Sequence, residues 1–162
     1  MDRKAMKVKV YNAGNQPTPS YQTDGAAAFD LYANSAYIDK EHGVIRYGTG
    51  LHFEIPNGYY GKIVPRSSIY KKKLVLSNHS GVIDSDYRGE VSAIFRHILG
   101  SHNLFIPELP YNGNSNSIYL IGDRIAQMMI LPVGQVEFVE IESAMLLGKT
   151  LRGEGGFGST GK

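Results

Sequence analysis

Apolar residues in this chain recur mainly at every second position, and that period constrains what the chain can become more than any other feature. Val8 and Val10 stand between lysines, and Leu51, Phe53 and Ile55 alternate with His52 and Glu54, so one face of each segment turns inward and the other meets water. The same reading makes strands of 59–64, 74–76, 90–98, 118–120, 125–131 and 135–141, set apart by Asn57-Gly58, Pro65 and Pro132-Val133-Gly134. Eleven tyrosines suit that state. No two of these segments flank a long amphipathic helix, which argues against alternating β-α units and for an all-β antiparallel barrel or sandwich. One short helix is expected at 68–73, where Ser67 can cap the N-terminus and Lys71, Lys72 and Lys73 meet the negative end of the helix dipole.

With 162 residues, 42% of them hydrophobic, one domain can build its core without disulfides. There is no cysteine, which removes thiolate nucleophiles, Cys-ligated zinc and CxxC redox chemistry, and fits a reducing, cytoplasmic setting. Seventeen basic against fifteen acidic residues give a net charge of +2, which indicates neither a polybasic nucleic-acid binder nor an acidic tail. No stretch approaches the ~18 apolar residues that cross a bilayer, so neither membrane nor nucleic acid is an expected partner. Residues 99–117, rich in Gly, Asn, Ser and Pro, read as a long loop inserted in the 1–151 β domain. Residues 152–162 carry too many glycines for a strand or helix interior and read as an arm.

The arm matches dinucleotide-loop and Walker patterns on paper, through Gly153, Gly155, Gly158, Gly161 and Lys162. Those motifs need a helix N-terminus under the phosphate after a strand, and none follows here. Exposed backbone N–H groups with Arg152, Ser159 and Thr160 can still wrap a polyphosphate, while Phe157 can cover an aromatic surface; a solvated terminus has the same composition. Arg66-Ser67-Ser68 places a cation and two hydroxyls at a strand-to-helix junction, which suits either a phosphate oxygen or ordinary capping. The stretch 81–90 reads as a turn between apolar runs that carries Asp84, Asp86 and Tyr87, where a carboxylate either bonds its own backbone or, facing a phosphate, aligns a water. Five histidines form no HExxH pair, and no G-x-S-x-G surrounds a serine.

In their order and spacing these segments resemble the motifs of the homotrimeric dUTPases, which hydrolyse dUTP to dUMP and pyrophosphate. Ala27-Ala28-Phe29-Asp30-Leu31-Tyr32-Ala33 resembles the first motif, Pro65-Arg66-Ser67-Ser68 the second, and Asn78 through Gly81-Val82-Ile83-Asp84 to Tyr87-Arg88-Gly89-Glu90 the third. Gly122-Asp123-Arg124-Ile125-Ala126-Gln127 is similar to the fourth, and 152–161 to the fifth.

The resemblance implies a distorted jelly-roll-like β subunit and three active sites, each shared among three copies. It implies that Asn78 and the backbone of Gly81, Val82 and Ile83 read uracil, and that Tyr87 packs on deoxyribose and excludes a 2′-hydroxyl. Asp84 would activate the water that attacks the α-phosphorus. Arg66, Ser67, Ser68 and Gln127 would hold phosphate oxygens, with Asp123 and Arg124 as supports. Mg²⁺ would ride on the triphosphate, Asp30 reaching it through water. The arm would close over the nucleotide, with Phe157 on uracil and Arg152, Gly158, Ser159 and Thr160 at the phosphates. Such an enzyme limits uracil entry into DNA and supplies dUMP for thymidylate.

The chain departs from the pattern at Ala28-Phe29, at Ser68, which replaces a Gly, at Ile69-Tyr70, and in the length of 99–117. The related dCTP deaminases share an Arg-Ser-Ser motif but place an acid/base Glu where this chain has Ile94. A non-catalytic nucleotide-binding regulator of the same fold is the other reading, against which Asp84, Gln127 and the complete arm speak.

Overall fold

A computed structural model describes residues 6–98 and 118–156. Ten strands dominate: β1 (Lys9–Asn12), β2 (Phe29–Tyr32), β3 (Ser35–Asp39), β4 (Val44–Gly48), β5 (Leu51–Glu54), β6 (Tyr59–Pro65), β7 (Leu74–Leu76), β8 (Gly81–Ile83), β9 (Ser92–His97) and β10 (Arg124–Pro132). They pair antiparallel throughout, as a β1-β5 ribbon and two four-stranded sheets ordered β2-β10-β6-β8 and β3-β4-β9-β7. The all-β expectation holds.

Period two explains the core. Leu31, Ile63, Ile125 and Met128 from one sheet meet Ile45, Tyr47, Leu74, Leu76 and Phe95 from the other in a single buried cluster. Tyr47, Phe95 and Tyr119 pack edge to face with centroids 5.4 to 6.0 Å apart. Burying each such side chain is worth about 1.5–3 kcal/mol, so this cluster supplies most of what holds the sheets together. Gly61 admits the close crossing of β10, because a Cβ there would fall on the Met128 methyl group.

Four expectations need correction. The helix at 68–73 is instead a 3₁₀ helix over Ser67–Lys71, and Ser67 does not cap it. Arg66 occupies the cap position in extended backbone with no side-chain cap bond, its guanidinium being drawn to Asp30. Residues 118–120 form no strand; Ile118 and Tyr119 are buried and lead into a turn closed by Asp123 N–H donating to Leu120 O at 3.0 Å. Residues 135–141 form no strand either, and leave Val136, Phe138 and Val139 at 70%, 91% and 78% exposure. Among the described residues their alternation has no sheet edge to pair with. Residues 81–83, read as part of a turn, form β8 against β6.

Candidate active site

Register across one sheet assembles the first cluster. Asp30 on β2 pairs with Gln127 on β10, which pairs with Val64 on β6, so the end of β6 delivers Arg66 beside Asp30. Arg66 Nε donates to Asp30 Oδ1 at 2.8 Å, and Arg124 Nη1 donates to Asp30 Oδ2 at 3.2 Å. Asp30 is only 11% exposed, so this two-sided pairing is what lets a carboxylate sit there as an anion. Arg66 Nη1 also donates to Ser68 Oγ at 3.3 Å, giving the serine that replaces a glycine a part in holding the guanidinium. Gln127 Nε2 donates to Pro65 O at 3.1 Å, tying β10 to the start of the Arg66-Ser67-Ser68 turn, where Ser67 is exposed.

Lys72 fastens that turn from behind. Its Nζ donates to Ile118 O at 2.9 Å, stands 5.3 Å over the Tyr119 ring and lies 3.9 Å from Asp123 Oδ2. Asp123 Oδ2 in turn accepts from Leu120 N at 2.8 Å. Asp123 thus ties Lys72 to the turn at Leu120, and Arg124 reaches Asp30.

The second cluster gathers on β8 and the turn after it. Asn78 is exposed in the turn that leads from β7 to β8, beside His79 with a left-handed φ of 58°. Gly81 is buried; a Cβ there would lie 3.3 Å from Ile63 Cβ and 3.7 Å from Asn78 Nδ2. Tyr87 N donates to Asp84 O at 3.2 Å, and the Tyr87 hydroxyl donates to Glu90 O at 3.1 Å, folding the ring over the turn. Asp84, exposed, borders two hollows: a broad cleft of about 1390 Å³ shared with Tyr60, Asp86 and Arg88, and a cavity of about 270 Å³ shared with Val82, Ile83 and Tyr87. Arg46 and Ile94 line the smaller one. Arg46 escaped the reading of the sequence, although a lone cation inside the apolar run Val44-Ile45-Arg46-Tyr47 was its signal.

These clusters do not meet in one protomer. Ile83 pairs with Gly61, five residues before Arg66 on β6, which at ~3.3 Å per strand residue sets the Asp84 end and the Arg66 end about 16 Å apart. Arg152 joins neither: its Nε donates to Gly155 O at 2.7 Å within the arm. Phe157, Gly158, Ser159 and Thr160 lie outside the described residues. Among the described residues no group of three His, Cys, Asp or Glu could hold a metal ion, and no helix is long and apolar enough to cross a membrane.

The sequence profile of the dUTPase family matches residues 14–98. Over 161 residues the chain is 41% identical to the deoxyuridine 5'-triphosphate nucleotidohydrolase of Nautilia profundicola, covering 97% of this chain and 100% of that one. The protein of the same name from Finegoldia magna is 38% identical over 161 residues, covering 96% and 99%. Among solved structures, a mutant Staphylococcus bacteriophage 80alpha dUTPase with dUpNHpp shares the fold with a TM-score of 0.73 at 22% identity, over 98% of this chain and 100% of that one. A mutant phage phi11 dUTPase, described for its coordination of a structural Mg(II) ion, has a TM-score of 0.67 at 20% identity, over 86% and 99%. A profile that takes in Asp30, Arg66 and the whole Asp84 turn, with relatives matched almost end to end, establishes that the chain belongs to the dUTPase family of nucleotidohydrolases.

Proposed function

We propose that this dUTPase completes its active site only in a homotrimer and hydrolyses dUTP by attack of water on the α-phosphorus. The observation that carries the reading is the separation of the two clusters at opposite ends of β6, with the Arg66 guanidinium turned to Asp30 and Ser68 and Asp84 opening onto other hollows. Another copy closes that gap. Exposed apolar residues at 136, 138 and 139 support the association, since an unpaired strand pattern of this kind gains a sheet edge only from a neighbour.

Each site then takes Asn78, Gly81, Val82, Ile83, Asp84 and Tyr87 from one copy and Asp30, Arg66, Ser67, Ser68 and Gln127 from a second. The arm with Arg152, Phe157, Gly158, Ser159 and Thr160 comes from the third. Asp84 accepts the proton of the water as its oxygen bonds to the α-phosphorus, and the bond to the bridging oxygen breaks, releasing pyrophosphate and leaving dUMP. Arg66 and the Ser67 hydroxyl donate to the departing phosphates, where negative charge accumulates. Tyr87 excludes a ribose, and uracil is read by the β8 backbone and Asn78.

The residues present fit Mg²⁺ held at one remove. Both Asp30 oxygens are engaged by arginines, yet a carboxylate offers about four acceptor positions, so it can still accept from a water of the ion. Bound on the triphosphate, the ion would neutralise phosphate charge. In the cell the reaction would limit uracil in DNA and feed thymidylate synthesis. Pyrophosphate release measured over dUTP, dTTP, dCTP and UTP tests the reading. dUTP should be strongly preferred, and Asp84→Asn should lower turnover by about 10²–10⁴-fold while leaving the oligomer intact. Full turnover in that variant would refute the role of Asp84.

A further inference from the structure

The smaller cavity beside Asp84 contains a cation that none of these roles uses. In the sheet register Arg46 on β4 lies opposite Ile94 on one side and Tyr37 on the other, so no carboxylate flanks it in its row. Among the described residues its hydrogen bonding is a single long contact, Nη2 donating to Ser92 Oγ at 3.4 Å. Glu90, which shares the cavity, is engaged elsewhere, its Oε1 accepting from Gly50 N at 2.7 Å. A guanidinium carries five N–H donors and no acceptor. Arg46 therefore brings unspent donors to a hollow whose apolar wall is Val82, Ile83, Ile94 and the Tyr87 ring, with Asp84, Glu90 and Ser92 as its other polar lining.

We propose that Arg46 donates to the 4-carbonyl oxygen of uracil bound in this cavity and so determines base specificity, an inference that rests on the dUTPase site described above. Uracil presents an acceptor at position 4, whereas cytosine presents an amino donor there, so the same guanidinium that binds one base opposes the other. Ile94 contributes twice: it packs on the base, and by not being a carboxylate it places no counter-charge directly across the sheet from Arg46. A Glu at 94 would stand directly across from Arg46 and take up its donors.

Steady-state pyrophosphate release by the full-length protein, with dUTP and dCTP as separate substrates, tests this. Where dCTP turnover falls below detection, its inhibition constant against dUTP serves instead. Arg46→Met should lower kcat/KM for dUTP about ten- to a hundredfold while dCTP is unchanged or improved, so that the ratio between the two collapses. Arg46→Lys, which keeps the charge but loses the planar fork, should recover part of it. Ile94→Glu keeps Arg46 and should move the ratio the same way, which provides the test should Arg46→Met fail to fold. An equal loss with both nucleotides, or an unchanged ratio, overturns the role of Arg46; a wild-type protein that releases no pyrophosphate from dUTP overturns the underlying reading instead.

Discussion

Tyr87 owes its position to the residue two places on. A Cβ at Gly89 would fall on the Tyr87 ring, whose hydroxyl donates to Glu90 O, so only glycine lets the ring fold down over the turn. Gly89→Ala should push the ring outward. We expect KM for dUTP to rise about tenfold and discrimination against UTP to fall, with the melting temperature nearly unchanged because the turn is exposed. Parallel kinetics with dUTP and UTP check this; an unaltered ratio would show that Tyr87 does not police the sugar. At this scale the sequence announced residue types better than partners. Asp30 stood out as an acid in a motif, but its arginines come from 36 and 94 positions away, and only the pairing of β2 with β10 and β6 brings them together.

Strands carry the next level, and one of them should tie stability to pH. Partial burial at the end of β9, with Lys73 nearby, holds His97 below the ordinary histidine value of 6.5. The unfolded chain therefore takes up this proton first as pH falls. Stability from the group is complete above pH 6.5 and is lost as pH drops toward the lower folded value. The melting temperature should fall between about pH 7 and about pH 5, and His97→Gln should flatten that fall. A slope of equal size in the variant would assign the loss to other groups. Elements with one wet and one dry face were legible: β5, β6, β7 and β10 lie close to where alternation puts them. β4 was not, since four of its five residues are buried and the period is masked, and β3, its edge partner, went with it. The 135–141 segment shows the converse, an alternating pattern that has no partner edge among the described residues of its own copy. At 66–71 capping chemistry was present, but Arg66 answers to Asp30 rather than to the helix.

At the scale of the molecule, the proposed function depends on association. Two groups of residues sit at opposite ends of β6, and in the proposed mechanism each serves half of the reaction: Asp84 the water, Arg66 with Ser67 and Gln127 the phosphates. Neither is complete alone. This division follows from rigid strand pairing, which fixes the span between the clusters and leaves no hinge to bring them together. The family motifs made the constellation readable in the chain and already implied sites shared among copies, whereas the span between the two clusters needed the register of β6 with β8.

Mixed trimers test that division most directly. Asp84→Asn and Arg66→Gln chains, each inactive alone, are co-expressed with separate tags and purified as mixed assemblies. If each site takes Asp84 from one copy and Arg66 from the next, every mixed trimer should carry one intact site of its three, roughly a third of the wild-type sites. No recovery of pyrophosphate release in verified mixed trimers would mean that each chain builds its site from its own residues, contradicting the account.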